Sequence, residues 1–287
     1  MRVLVTGASG FVGGALCEVL AESGHQPVAL SRRPVPGLAA LGIPWFRCDL
    51  PGEIDAEAFQ RGDMLVHCAY STRFKSRSEA VAINLDGTQA LLRLFRERGG
   101  AKFVLISSVA AHDEAESLYG KSKLQLEGEL DPSRDLAIRP GLVIGRGGLY
   151  GRMSETLRKS GWVPLFYGGT QQVQTIWIRD LCRGIQTALE LDLTGRLTLA
   201  HPVQVPIRDL YCAIGRSVGT RVRFVRLPGG LVRAGLQLAE GLGLNLPVTS
   251  ENLLGLKHAR VFDVSEGLAR LKLSPVDCQE AIRRSVT

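Results

Sequence analysis

Few folds accommodate the way this chain begins. Val3, Leu4 and Val5 form a short apolar run, and Gly7, Gly10 and Gly13 follow it at three-residue spacing. Phe11, Val12, Ala15, Leu16, Val19 and Leu20 then recur at helical intervals, and Gly24 closes that segment. Strand, glycine turn and helix in immediate succession open an α/β unit. The alternation continues. Pro27–Ser31, Pro44–Asp49, Met64–Tyr70 and Lys102–Ser107 read as strands, and Met64–Tyr70 is apolar enough to be buried on both faces. Helical patterns cover Glu79–Arg98, with Ile83, Leu91, Leu94 and Phe95 inward, and Tyr119–Leu130, while Leu136–Gly145 supplies a further strand. Such an order predicts an α/β fold with a doubly wound parallel sheet of the Rossmann type, its strands joined by right-handed crossovers.

The glycine spacing carries chemistry as well as shape. Gly7 can make the sharp turn, Gly10 lets the backbone approach a pyrophosphate, and Gly13 allows close helix–strand packing. The helix N-terminus then faces the phosphates, which points to a dinucleotide rather than a merely structural turn. The second strand ends in Ser31, Arg32 and Arg33, with no carboxylate to bond ribose hydroxyls. Two guanidinium groups there suit a 2′-phosphate, so NADP is expected ahead of NAD, although solvated arginines at a strand end give the same pattern. Asp49, closing the third strand, is expected near the adenine.

After Gly145 the pattern loosens. Thr175–Glu190 reads as a strand and helix, Arg196–Pro202 as a late strand, and the remainder as a smaller unit. Residues 1–148 with 174–200 are expected to bind the cofactor, and 149–173 with 201–287 the substrate. The apolar stretch 227–247 is interrupted by Arg233 and Glu240, which favours packing on the neighbouring domain over membrane docking. The chain has 287 residues, 45% hydrophobic and 22% charged, and no window nears the roughly 18 apolar residues of a membrane span. Met1 leads straight into a strand without a signal-like segment, so a cytoplasmic location is expected. Six dispersed cysteines without a C-x-x-C pair fit reduced thiols and no metal site. The net charge of +7 is spread along the chain with only 6% aromatic residues, which suits an anionic small molecule better than nucleic acid.

Tyr119 and Lys123 stand four residues apart at the start of the helix after the fifth strand, and so share a helix face. On its own that spacing also describes a solvated surface. A phenol titrates near 10, and a nearby ammonium stabilises phenolate; a fall of ~3 units needs about 4 kcal/mol. Ser108, just past the fifth strand, offers a hydroxyl to the same substrate oxygen.

The blocks "TGASGFVGGAL", "DMLVHCAY", "NLDGTQALL", "VLISSVAA", "YGKSK", "IRPGLVIG" and "WIRDL", in that order, resemble the extended or atypical short-chain dehydrogenases/reductases, the NAD-dependent epimerase/dehydratase family. The resemblance implies Tyr119 as acid/base, Lys123 as the residue that lowers its pKa and bonds the nicotinamide ribose, Ser108 as the orienting hydroxyl and Asn84 as a supporting residue. It implies that Gly7, Ser9, Gly10, Phe11, Val12 and Gly13 hold the phosphates. Ser31, Arg32 and Arg33 belong to the ribose end, and Asp49 and Leu50 to the adenine. Cys68, Ala69 and Tyr70 wall the cofactor, with Ser107, Pro140, Gly141 and Val143 completing the lining beside Tyr119 and Lys123. His67 is expected to pack rather than to react.

Departures narrow the chemistry. Dehydratases of the family carry an acid pair directly after the catalytic serine or threonine, whereas Val109 and Ala110 stand here, so lyase chemistry is disfavoured. Ala111, His112 and Asp113 replace a usual tyrosine-glycine ending, and ten residues separate Ser108 from Tyr119, which trims a loop that often contacts sugar. The C-terminal part resembles an atypical branch that includes the NADPH-holding accessory subunit of respiratory complex I. Three functions follow. The first is an NADP(H)-dependent oxidoreductase passing hydride between the nicotinamide and an alcohol or ketone carbon of a small molecule. The second is a nucleotide-sugar epimerase, for which Arg146, Arg152, Arg158, Lys159, Arg179 and Arg223 offer cations to a diphosphate. The third is a non-catalytic NADPH-binding module. In many relatives the helices near Glu79–Arg98 and Tyr119–Leu130 pair two protomers, so a homodimer is a possible partner arrangement.

Overall fold

The computed structural model describes residues 1–72, 74, 76–165, 167–226 and 260–286; the apolar stretch 227–247 therefore lies outside the described residues. The chain forms two compact units: Met1–Ser107 with Ser122–Arg139 and Cys182–Leu197, and Ser108–Lys121 with Pro140–Leu181 and Thr198–Thr287.

In the first unit the glycine turn joins β1 (Arg2–Thr6) to α1 (Phe11–Glu22), and β2 (Gln26–Ser31), α2 (Pro36–Ala39) and β3 (Trp45–Arg47) follow. Next come β4 (Met64–His67), α3 (Arg77–Val81), α4 (Gly87–Glu97), β5 (Lys102–Ile106), α5 (Leu118–Gly128) and β6 (Leu136–Pro140). With β11 (Gly195–Leu199) these strands build a seven-stranded sheet in the order β11-β6-β5-β4-β1-β2-β3. The registers from β3 through β2, β1, β4 and β5 to β6 are parallel. The order reverses between β1 and β4, which is where such sheets open a crevice at the carboxyl ends of their strands. Val3, Leu4, Val5, Leu65, Val66, Val104 and Leu105 are fully buried, as expected of strands covered on both faces. One core joins Leu4, Leu30, Leu65, Leu91, Phe95, Phe103 and Leu126, with the Phe95 and Phe103 rings edge to face at 6.0 Å.

The helix expected over Glu79–Arg98 begins earlier and is not continuous. A π-helical turn, Ala82–Asp86, separates α3 from α4. Widening one turn rotates the face presented to the sheet. Ile83, expected inward, is half-buried, while the polar Asn84 is buried in its stead.

The strand expected over Leu136–Gly145 also divides. β6 ends at Pro140, and β7 (Leu142–Ile144) pairs instead with β10 (Thr175–Trp177). Gly141 is the break: a Cβ there would stand 2.5 Å from the Gln174 carbonyl oxygen and 3.0 Å from the Ala200 Cβ. The segment after Gly145, where the sequence pattern loosens, is a 13-residue helix, α6 (Gly148–Ser160), closed by Gly161 in the left-handed conformation.

Beyond α6 come β8 (Trp162–Leu165), β9 (Gln172–Val173), α7 (Ile178–Glu190), β12 (Val205–Pro206), α8 (Ile207–Ser217) and β13 (Arg223–Arg226). Two more helices, α9 (Ser265–Leu271) and α10 (Cys278–Val286), end the described chain. The core of the second unit gathers Ile144, Met153, Leu157, Val163, Leu210, Ile214 and Ile282 from β7, α6, β8, α8 and α10. Among the described residues no helix is long and apolar enough to cross a membrane.

Candidate active site

The turn after β1 has the shape a phosphate cradle requires. Gly7 adopts φ +66, and a Cβ on it would lie 2.8 Å from the Ala69 amide nitrogen, so the tips of β1 and β4 approach at a distance only glycine permits. Gly13 serves a different purpose: its Cβ would stand 2.4 Å from the Gly7 carbonyl oxygen, and the helix packs onto the turn through that gap. The Gly10 amide closes the turn on Gly7 O at 2.8 Å. No side chain caps α1, and its first turn carries no acidic residue. The positive end of the helix is therefore available to an anion. Ser9 is exposed beside it, with Phe11 and Val12 half-buried. These residues fit a pyrophosphate group.

At the end of β2 the hydroxyl of Ser31 serves the chain itself. It donates to the Arg33 carbonyl at 2.7 Å and accepts from Trp45 Nε1 at 3.0 Å. The effect is to fix the turn from which Arg32 and Arg33 project, both exposed. Asp49 and Leu50 are half-buried after β3, and Arg47 bonds Glu53 at 2.8 Å with Asp49 at 3.8 Å.

The end of β4 is held by a buried polar chain. Thr88 Oγ1 donates to the Asn84 carbonyl at 2.7 Å, so it accepts from His67 Nε2–H at 2.9 Å. Nδ1 then accepts from Thr6 Oγ1 at 2.8 Å, and Thr6 Oγ1 accepts from the Ala69 amide at 3.3 Å. Burial, with the Lys123 ammonium adding to it, pushes His67 down to about 3, so it is neutral. His67 packs, as expected, but it also ties the tip of β1 to the π turn. Asn84, expected as a supporting site residue, closes a two-way bond with Ser71: its Oδ1 accepts from Ser71 N at 2.7 Å and its Nδ2 donates to Ser71 O at 3.0 Å. It fixes the segment that follows Cys68, Ala69 and Tyr70, all half-buried.

Helix α5 carries Tyr119 and Lys123, the residues expected to react. Tyr119 in its first turn shares a hydrogen bond with Ser108. Burial pushes the phenol above its ordinary value, more than the Ser108 bond lowers it. What lowering the phenol does feel comes from Ser108 and not from the ammonium expected to supply it. One turn on, Lys123 is buried and donates to the Ile106 carbonyl at 2.6 Å, with its Nζ 4.6 Å from the Tyr70 ring centroid. Burial brings it down to about 8, against the opposing pull of Cys68 and Glu127.

Glu127, another turn along, escaped the sequence reading, although the i, i+4, i+8 spacing of Tyr119, Lys123 and Glu127 would have found it. Its carboxylate takes Ser107 Oγ at 2.5 Å, Arg139 at 2.8 and 2.6 Å, and Arg196 at 3.1 Å. Ser107, expected at the cofactor, is thus bonded to this carboxylate.

Among known proteins, the family model described as the NAD dependent epimerase/dehydratase family matches residues 3–197. The chain belongs to this family. As a member it is an NAD(P)-dependent enzyme of the short-chain dehydrogenase/reductase type. It is 28% identical over 261 residues to the human epimerase family protein SDR39U1, covering 82% of this chain and 86% of that protein. To the ceramide reductase of Caulobacter vibrioides it is 28% identical over 248 residues, covering 81% and 76%. The crystal structure of human SDR39U1 (isoform 2) with NADPH superposes with a TM-score of 0.74 at 21% identity, over 100% of this chain and 99% of that one.

Within the family member's second unit, Pro140, Gly141 and Val143 form the β6–β7 break, with Gly141 N donating to Leu199 O at 3.0 Å. Several cations named for a sugar diphosphate are engaged elsewhere. Arg146 reaches the Ser285 and Val286 carbonyls, Lys159 bonds Glu155 at 2.6 Å, and Arg223 lies over the Trp162 ring at 5.3 Å. None of the six cysteines is joined in a disulfide, and among the described residues no cluster could hold a metal ion.

Proposed function

We propose that this enzyme is an NADP(H)-dependent oxidoreductase that reduces a ketone on a small molecule, with Tyr119 as the acid. The observation that carries it is the Tyr119–Ser108 hydrogen bond on a phenol whose proton is retained by burial. A retained proton suits the reductive direction, in which the carbonyl oxygen must gain one as the carbon gains hydride. The bound nicotinamide supplies that hydride. Ser108 and Tyr119 bond the carbonyl oxygen, Tyr119 delivers the proton, and Lys123, charged at neutral pH, stabilises the phenolate left behind. Ketone, hydride and proton sum to the alcohol. Val109 and Ala110 in place of an acid pair, and the relative that is a ceramide reductase, agree with reduction.

NADP is favoured over NAD by Arg32 and Arg33, which stand exposed on a turn that Ser31 holds, and by the NADPH in the SDR39U1 crystal structure. We assign cofactor binding to 1–148 with 174–200, and substrate binding to 149–173 with 201–287. The test is NADPH consumption over a panel of aliphatic and long-chain ketones, with NADPH affinity measured by fluorescence. Tyr119→Phe is expected to abolish turnover while NADPH still binds. Loss of both together overturns the role of Tyr119. Interconversion of UDP-sugars by NMR, with no ketone consumed, replaces reduction by epimerisation, and silence on both panels leaves a binding module.

A further inference from the structure

Lys123 is a buried cation, and a buried cation needs a counter-charge. The groups around it are few. The Ile106 carbonyl from β5 and the Tyr70 ring touch it directly. His67 on β4 is neutral, and Cys68 next to it is pushed up by burial, so it ionises only far above the pH at which Lys123 titrates. Tyr119, one turn before Lys123 on α5, keeps its proton for the same reason. Glu127, one turn after, is left as the carboxylate acting on Lys123 among the described residues.

Glu127 is also built in more firmly than a helix surface residue. Its side chain is 0% exposed, and Arg139 grips both oxygens in a bidentate fork while Ser107 bonds one. Ser107 directly follows Ile106, the residue whose carbonyl Lys123 holds. Lys123 and Glu127 therefore clamp two successive residues at the end of β5, and Arg139 adds the end of β6.

We propose that Glu127 is a positioning residue for Lys123: its carboxylate locks α5 to the ends of β5 and β6 and supplies the negative charge that balances the buried ammonium. This rests on the oxidoreductase reading only for the purpose Lys123 serves. The geometry of the clamp does not depend on it. Arg139 and the outer Arg196 hold the Glu127 carboxylate in place.

The experiment is NMR of the full chain carrying 13Cε-lysine, with the Lys123 resonance identified by its loss in Lys123→Met. In the wild type that resonance is expected to titrate at about 8. In Glu127→Gln the midpoint is expected to fall by about half to one unit. Should Glu127→Gln fail to fold, Arg196→Gln, whose side chain is 61% exposed, gives the opposite sign by unmasking the carboxylate, and the midpoint rises. An unmoved midpoint in the folded variant overturns the proposal even where the wild type reduces ketones. A moved midpoint with no ketone turned over leaves the clamp standing and sinks the oxidoreductase reading instead.

Discussion

Gly7→Ala separates the two demands that the first turn places on its glycine. The residue sits at φ +66, where an added Cβ costs about 1–2 kcal/mol by backbone sterics alone. The same Cβ would also lie 2.8 Å from Ala69 N and 2.9 Å from Ala69 Cα. Those are backbone atoms in a strand end fixed by the Thr6–His67–Thr88 chain, so they cannot swing aside as a side chain would. Forcing β1 and β4 apart adds about 1–3 kcal/mol, the ordinary cost of overpacking. Gly24 is the internal control: its φ is +76, yet nothing lies within 4 Å of its Cβ position, so Gly24→Ala carries the backbone cost and no clash. Urea unfolding should place Gly7→Ala about 1–3 kcal/mol below Gly24→Ala. NADPH affinity should fall at least tenfold in Gly7→Ala and stay near wild type in Gly24→Ala, because only the former displaces the phosphate turn. Equal destabilisation of the two variants would refute the close approach of Gly7 to Ala69 as the reason for glycine there.

Two further outcomes follow from the same elements. Arg32→Ala with Arg33→Ala should lower NADPH affinity roughly 10- to 100-fold, the worth of one or two charge-assisted bonds to a phosphate, and leave NADH affinity within about twofold; titration of both nucleotides checks it. His67, held neutral down to about 3, makes the fold acid-sensitive. Its folded value lies below its unfolded 6.5, so its contribution is complete above pH 6.5 and is lost as the pH falls, by about 2 kcal/mol between pH 6.5 and 5. Urea midpoints across that range should decline less steeply in His67→Gln than in the wild type.

What the sequence disclosed and what it hid divide along a physical line. Local periodicity exposes elements whose partners lie close in the chain, so β1, α1, β2, β3, β5 and α5 were legible within a residue or two, while β4 ends at His67, three residues short of the expected Tyr70. The π turn was not, because an extra residue in one helical turn leaves the apolar count unchanged and shifts only which side chain, Ile83 or Asn84, faces the sheet. Nor was the break at Gly141, since Leu136–Ile144 is apolar on both sides of Arg139 and the change of strand partner is imposed by Gln174 and Ala200, distant in sequence. The site follows the same rule. Tyr119 and Lys123 announce themselves by four-residue spacing, whereas the partners of Glu127, at positions 107, 139 and 196, share no helix with it and meet it only once the sheet is built. A carboxylate on the buried side of α5 looks like a defect in its apolar pattern until its three donors arrive. A polar residue on a helix's inner face, one turn from a candidate site pair, is therefore a place to search for donors from neighbouring strands before it is dismissed as surface.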